Sequence, residues 1–465
     1  MELTYKLKRL QDLTRALRDY RVLVGHERWP RMKLEELQHR RLAELLAWVT
    51  QRSPFYQELC GTLRVDHPHV LQDFPVMDKK TLMEHFDQIV TDPRLRLSQL
   101  QEHIAQLSGD EYYLGEYRVL TTAGSSGQKG VFVYSRKEWS TQQAASMRIA
   151  ALMGVVPFSL RRPRIVTIGS ASPLHQSCRI PVSLDIGLYR THLLPASTPI
   201  EELVQRLNSL QPNFLRGFPS LLALLVTEQL QGRLHISPRI IATGGEALTK
   251  ELRQRLRAVW QCSVFDIYGT TEGLFSAECS FGGGMHLFED LGIVDVVDEH
   301  NCPVPDGTLG HKILFTSLFS FTQPIIRYEI SDMVTLDPEP CPCGRPFRRI
   351  SSISGRSDDI LYLQGRAGGQ VAIHPIHFWD VLESCGDIRQ YQVVHEPDGI
   401  HLRLVFQEGK EGMASSVKER LAQQLHAQGV CCPPIHVELV TTLGDRSRHM
   451  GKWKNIISNL NQPTR

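Results

Sequence analysis

Apolar positions along the chain follow distinct rhythms, and each predicts a different kind of element. Over the first 50 residues they recur at helical spacing. Leu3, Leu7, Leu10, Leu17 and Tyr20 share one face of a helical net, and Leu42, Leu45, Leu46 and Val49 share another. With loop signals at Ser53-Pro54 and Asp66-His67-Pro68, the stretch 1–110 reads as helical. From residue 115 the rhythm changes to short β-branched runs separated by helical stretches. Arg164-Ile165-Val166-Thr167-Ile168 has a buried-strand pattern. Ile240-Ile241-Ala242 leads into Gly244-Gly245 and a helix capped by Thr249, and Val264-Phe265-Asp266-Ile267-Tyr268 leads into a Gly/Thr loop. This alternation predicts an α/β sheet whose loops at the strand ends build the site.

A different unit begins near residue 358. Its order is strand 359–364, helix opened by Pro375, strand 389–396, turn at Pro397-Asp398-Gly399, strand 400–407, helix 412–428 ended by Gly429, and strand 436–442. That is a β-α-β-β-α-β succession of ferredoxin-like α+β type. The expected division is therefore 1–110, a helical part of the large domain; 111–357, an α/β core; and 358–465, a small C-terminal domain.

Composition narrows the function classes. The 52 basic and 50 acidic side chains leave a formal charge of +2, so no long-range field points to nucleic acid or to a membrane surface. The longest weakly polar run, Ile313–Ile326, carries Thr316, Ser317, Ser320, Thr322 and Gln323 and is shorter than the ~20 residues of a bilayer span. It reads as a buried strand pair or loop. The first 25 residues lack the apolar core of a secretory signal. Ten cysteines without a regular framework indicate reduced thiols and a cytoplasmic protein.

Five segments carry chemistry. Thr121-Thr122-Ala123-Gly124-Ser125-Ser126-Gly127-Gln128-Lys129-Gly130 combines glycines three apart with hydroxyl donors, as an anion-cradling loop requires; by itself it also reads as a surface loop. Its spacing is not that of a Walker A loop. Asp266-Ile267-Tyr268-Gly269-Thr270-Thr271-Glu272-Gly273 places a carboxylate and hydroxyls at a strand end, a set suited to Mg²⁺ and phosphate oxygen. Arg327–Asp332, Gly355-Arg356-Ser357-Asp358-Asp359 and Gly451-Lys452-Trp453-Lys454 complete the set. Taken singly, each has a plain structural reading: a helix-start acid, a cap, a surface cation, a solvated tail residue.

In this order and at these separations they resemble the adenylate-forming superfamily of acyl-CoA synthetases, and within it the phenylacetate–CoA ligase-like branch. The superfamily's T-S-G-T-T-G-x-P-K loop aligns with Thr122–Gly130, and its Y-G-x-T-E with Tyr268–Glu272. The branch's R-Y-R-T-x-D is similar to Arg327–Asp332, and its G-R-S-D-D matches Gly355–Asp359. Arg52–Tyr56, Phe74–Lys79 and Leu215–Ser220 also look like that branch.

The resemblance implies an enzyme that uses ATP and Mg²⁺ to convert a carboxylic acid to acyl-AMP, releasing pyrophosphate, and then passes the acyl group to CoA. It assigns Thr122, Gly124, Ser125, Ser126 and Gly127 to the ATP phosphates. Gly244, Gly245 and Glu246 go to the adenine pocket beside Asp266, Gly269 and Thr270, with Tyr268 stacking on the base. Thr271 would touch the α-phosphate, Glu272 would hold Mg²⁺, and Asp332 would accept both ribose hydroxyls. Arg356 would contact phosphate or ribose, Asp358 would be the hinge of a mobile small domain, and Lys452 would bridge carboxylate and α-phosphate. Two departures stand out: Ala123 where Ser is usual, and Lys129-Gly130 where Pro-Lys or Pro-Thr is common.

The same motifs leave the acceptor open among CoA, an amine, a carrier-protein thiol and a hydroxyl, with a non-catalytic nucleotide-binding regulator as the alternative outside catalysis. A homodimer is one option for quaternary state. The acyl pocket is expected from 170–180, 214–220 and 243–247, including His175, Arg216 and Phe218; Arg216 reads either as a partner for a second carboxylate or as a helix cap. Cys279, His286, Cys341 and Cys343 form a tetrahedral Zn²⁺ set if their two segments meet, and buried free thiols if they do not.

Overall fold

The structure is a computed structural model that describes residues 2–62, 70–122, 130–155, 163–185, 190–382, 385, 387–443 and 455–460. Helices dominate the first 110 residues, with Glu2–His26 and Arg31–Arg52 the longest. The second buries Leu34, Leu37, Leu42, Leu45, Leu46 and Val49, the face that the periodicity marks.

The first helix differs from expectation. Leu7 and Leu10 are each 57% exposed, whereas Leu13, Ala16 and Leu23 are buried. A polar anchor decides the rotation. Asp12, also buried, accepts hydrogen bonds from Tyr112 (2.6 Å) and Arg136 (2.9 Å). A carboxylate supplied with buried donors outweighs a helical stripe of leucines, because leaving either partner unpaired would cost more than two exposed side chains.

A nine-stranded sheet forms the body. Its order runs Asp332–Leu336, Arg349–Arg356, Met285–Leu287, Phe275–Glu278, Ser263–Gly269, Ile240–Gly244, Phe214–Gly217, Arg164–Gly169, Arg190–Pro195. The last five are parallel and the first four antiparallel. The parallel strands are apolar on both faces, as helices on both sides require. Val166, Leu215, Ile241 and Val264 join one core with Leu222, Leu225 and Leu256, while Ala242, Phe265 and Ile267 join the other with Trp139, Ala145 and Ile149. Thr249 caps Lys250–Trp260 through Leu252 N, as its sequence context predicts. The run Ile313–Ile326 is a buried strand, Lys312–Ser317, followed by a loop. Glu138 holds that loop, accepting from Phe321 N (2.6 Å) and Thr322 N (2.7 Å).

Beyond Ser357–Asp359, a single 3-10 turn, lies an α+β unit with its own core. Its four-stranded sheet has the order Ile435–Leu439, Gly399–Phe406, Ile388–Glu396, Ile456–Ser458, with an antiparallel central pair and parallel outer strands. Helices Pro375–Leu382 and Ala414–Ala427 supply Phe378, Leu382, Leu421 and Leu425 to its core.

One strand assignment changes. Leu361–Gln364 does not enter this sheet but pairs with Gln370–Ile373, and Ile456–Ser458 fills the fourth place. Gly368 and Gly369, both in the left-handed region (φ 87° and 74°), close a tight hairpin there. Local closure of so short a loop costs less chain entropy than pairing across the domain.

Candidate active site

A cavity of about 540 Å³ opens at the carboxyl ends of the parallel strands, where α/β sheets bind ligands. Loops after Gly217, Gly244 and Gly269 form its floor. Asp332 and Arg356 flank it, and Trp379 and Arg389 of the C-terminal unit complete it.

The strand Ser263–Gly269 carries the polar centre. Asp266 is 8% exposed; its Oδ1 accepts from Thr243 Oγ1 (2.7 Å) and Ile267 N (3.0 Å). Burial lifts this carboxyl to about 6, and Glu278 adds to the rise while Thr243 opposes it. Glu278 is itself held by Arg253 at 2.9 and 2.8 Å and accepts from Asp266 N at 2.8 Å. Two residues on, Tyr268 donates to Asp332 Oδ2 at 2.7 Å, and Arg356 Nε donates to Asp332 Oδ1 at 3.0 Å. Each Asp332 oxygen thus keeps a further lone pair for a ligand. Burial and the adjacent carboxylate push the Tyr268 hydroxyl far above its ordinary range, so it acts only as a donor.

The loop after Gly269 is tied down at three points. Thr270 N donates to Leu274 O (3.0 Å), Gly273 N to Thr270 O (3.2 Å), and Tyr134 Oη to Thr271 O (2.5 Å). Glu272 is 7% exposed and lines the cavity; burial raises its carboxyl, opposed in part by Lys79. Gly244 packs against the next strand so closely that a Cβ would meet Ile267 O at 2.8 Å. Glu246 accepts from Ser220 N at 2.9 Å, joining two of the floor loops.

The structure therefore brings together Gly244, Gly245, Glu246, Asp266, Tyr268, Gly269, Thr270, Thr271, Glu272, Asp332 and Arg356, as well as His175, Arg216 and Phe218, all lining one cavity. His175 does double duty as the cap of Gln176–Leu184, accepting from Ser177 N. Phe218 is mostly sunk in the core behind the sheet. Thr122 closes the stem of the Gly/Ser loop, its N–H donating to Gly130 O and its Oγ1 accepting from Gly130 N. Gly124, Ser125, Ser126, Gly127 and Lys452 lie outside the described residues, and of Asp358 only the backbone, in the 3-10 turn, is described.

Several contributors had no role assigned to them by the motifs. Thr243, Tyr134, Tyr328 and Lys79 bracket Asp266, Thr271 and Glu272. Lys79 ends the segment Phe74–Lys79, and the fold shows why that segment accompanies Arg327–Asp332. Met77 N donates to Arg327 O and Glu329 N to Met77 O. Arg327, at φ 46°, ties its guanidinium to the carbonyls of Gln72 (2.6 Å) and Phe74 (2.8 Å). Two segments about 250 residues apart meet in one isolated parallel bridge, a pairing that no local pattern encodes.

Cys279, His286, Cys341 and Cys343 also meet, their ligand atoms all within 4.8 Å of one another. Cys279 Sγ lies 3.8 Å from Cys341 Sγ, and Cys343 Sγ lies 3.3 Å from His286 Nε2. The cluster stands away from the cavity lining.

Comparison with known proteins agrees with this layout. The family model for AMP-binding enzymes matches residues 186–314. A phenylacetate–coenzyme A ligase of Thermus thermophilus is 27% identical over 398 residues, covering 80% of each chain. One from Escherichia coli K12 is 32% identical over 174 residues, 36% of this chain and 39% of that one. Among solved structures, a 2-hydroxyisobutyryl-CoA ligase in the postadenylation state, in complex with 2-HIB-AMP, superposes with a TM-score of 0.73 over 93% of this chain and 91% of that one, at 20% identity. The fold, the polar cavity at its strand ends and these relatives make the chain similar to AMP-binding enzymes, and among them to phenylacetate–coenzyme A ligases.

Proposed function

We propose that the chain is an AMP-forming acid–CoA ligase whose cavity binds ATP and a carboxylic acid side by side. The observation that carries this reading is the Tyr268–Asp332–Arg356 cluster beside Thr271 and buried Glu272 in a single cavity. Asp332 offers two oxygens to the ribose hydroxyls, with Tyr268 and Arg356 holding its orientation. The floor loops Gly244–Glu246 take the adenine, and the hydroxyl of Thr271 faces the α-phosphate.

In the first half-reaction a carboxylate oxygen attacks the α-phosphorus, the bond to the bridging oxygen breaks, and pyrophosphate leaves. Bringing two anions together makes this barrier mainly one of charge and position. Lys452 and the loop residues Gly124, Ser125, Ser126 and Gly127 are assigned to that task by their motif positions. Glu272, with the Thr270 and Thr271 hydroxyls nearby, offers the hard oxygen donors that suit Mg²⁺, and its burial makes a bare carboxylate costly. When bound there, Mg²⁺ neutralises phosphate charge. In the second half-reaction the CoA sulfur attacks the acyl carbonyl and AMP departs. Rotation of the small domain about Asp358 would withdraw Lys452 between the two steps.

The cysteine–histidine cluster fits structural zinc. With Zn–S of about 2.3 Å and Zn–N of about 2.0 Å, a tetrahedral site has S–S edges of roughly 3.8 Å and S–N edges of roughly 3.5 Å. The 3.8 Å and 3.3 Å separations match those edges. Four protein ligands leave no open position, so zinc would tie the segment after Phe275–Glu278 to the turn before Arg349–Arg356. A reducing, cytoplasmic setting accords with ten free cysteines. Among the described residues no helix is long and apolar enough to cross a membrane.

The test is acid-dependent exchange of labelled pyrophosphate into ATP, followed by addition of CoA. Exchange without CoA and thioester formation with it are expected. ATP binding without exchange for any acid in a broad panel would refute the reading.

A further inference from the structure

The cavity is lined by several charges that the adenylation scheme does not use, and Arg216 is the one set in the parallel sheet itself. Arg216 lies in Phe214–Gly217, in register with Thr167 on one side and Ala242 on the other. Ala242 belongs to the core shared with Trp139 and Ile149, so this face of the sheet looks toward the helix Arg136–Leu152. Ser146 and Ile149 of that helix, Ile180 and Thr167 line the same cavity. None of the four is acidic.

Among the described residues Arg216 has neither a hydrogen bond nor an ion pair, and burial is the sole influence on its guanidinium, which it pushes below the ordinary arginine value. Arg216 is half-buried, and the fully buried arginines of this chain are supplied with counter-charge. Arg148 faces Asp290, and Arg118 and Arg179 share Asp110. A guanidinium stays charged in proteins, so an unpaired one at a cavity wall is a costly feature unless a ligand provides the anion. Its planar fork matches a carboxylate with two parallel hydrogen bonds.

Position sets where that anion would lie. Strand Phe214–Gly217 is two places from Ser263–Gly269, about 10 Å across the sheet at ~4.8 Å per strand. Tyr268 and the loop to Glu272 belong to the latter strand. Arg216 therefore addresses the far end of a bound acid, a short chain or one ring away from the reacting carboxyl.

We infer that the acid activated by this enzyme is a dicarboxylate whose second, non-reacting carboxylate is received by Arg216. This rests on the adenylation reading and makes Arg216 a specificity-determining residue of the acyl pocket. A monoacid of the same length leaves the guanidinium unpaired and is rejected for that reason.

The experiment pairs each diacid with its monoacid: adipate with hexanoate, succinate with butanoate, and 4-carboxyphenylacetate with phenylacetate. Pyrophosphate exchange and calorimetric binding are both measured on the full chain, for wild type, Arg216→Lys and Arg216→Met. For at least one pair, the diacid should exceed its monoacid by about 10²-fold or more in kcat/KM for exchange. Arg216→Met should lower that diacid-to-monoacid ratio by roughly 10²–10³-fold, with Arg216→Lys between the two. Removing an unpaired, half-buried charge should leave the melting temperature unchanged or higher, which separates loss of recognition from loss of fold.

Exchange that favours monoacids in every pair, with a ranking untouched by Arg216→Met, overturns the inference. Absence of exchange with every acid overturns the adenylation reading. In that event calorimetry decides the pocket: diacid binding lost in Arg216→Met upholds it, and no diacid binding to wild type ends it.

Discussion

Loss of the proposed zinc should weaken the chain by an amount that its own topology sets. Cys279 and Cys341 are 62 residues apart, and His286 and Cys343 are 57 apart. In the chain-entropy description of a cross-link, closing loops of that length restrains the unfolded ensemble by about 4 kcal/mol. The two loops overlap along nearly their whole length, so they count nearly as one. At ~2.1 cal/mol/K of unfolding entropy per residue, a chain of 465 residues carries about 1 kcal/mol/K. Stripping the metal should therefore lower Tm by about 4 °C. The assay is elemental analysis of protein expressed in zinc-replete medium, then scanning calorimetry with and without a strong chelator. About one zinc per chain is expected. Cys341→Ser should reproduce the drop and abolish sensitivity to chelator. Less than about 0.1 zinc per chain, together with a Tm indifferent to chelator, would refute the reasoning and leave the four residues as buried thiols beside a histidine.

Three further outcomes are expected. Asp332→Asn keeps the shape but removes the charge that orients Tyr268 and Arg356; kcat/KM for ATP should fall roughly 30- to 10³-fold, and a loss below threefold would remove Asp332 from the ribose site. Lys452→Ala should cut acyl-AMP formation by about 10²–10³-fold while sparing thioester formation from supplied acyl-AMP, and unchanged ATP consumption would count against its role. Asp266→Asn tests the buried carboxyl. Its folded pKa of about 6 lies above the ordinary 3.8, so the native state holds an extra proton between those values. The contribution of this group to stability is fully present below about pH 4 and falls by roughly 3 kcal/mol as pH rises through 6. Asparagine keeps the acceptor for Thr243 and Ile267, so the variant should melt about 3 °C higher than wild type at pH 7.5 and equally at pH 4. Parallel Tm–pH curves for the two proteins would show that burial of Asp266 carries no such penalty.

Much of the site was legible because it is local. A strand running into Gly-Thr-Thr-Glu must end where its carboxylate and hydroxyls emerge together, and the Thr249 cap and the strand–helix alternation are equally short-range. The second half of the α+β unit was readable for the same reason, since the Pro397–Gly399 turn dictates the antiparallel pair beside it.

What the chain's local patterns determined was thus the type of each element and the residues exposed at its ends. Tertiary structure alone decided which groups satisfy one another. It turned the first helix so that Asp12, and not the Leu7–Leu10 stripe, faces inward. It joined Met77 to Tyr328, and Tyr268 to an Asp332 that lies 64 residues away. It closed the cysteine–histidine cluster from two separate segments and left Arg216 without a hydrogen bond or ion pair among the described residues. Periodicity reports only which side of an element is apolar. The partner of a buried charge depends on which distant donors and acceptors packing brings within about 3 Å, and that distance exists only once the chain has folded.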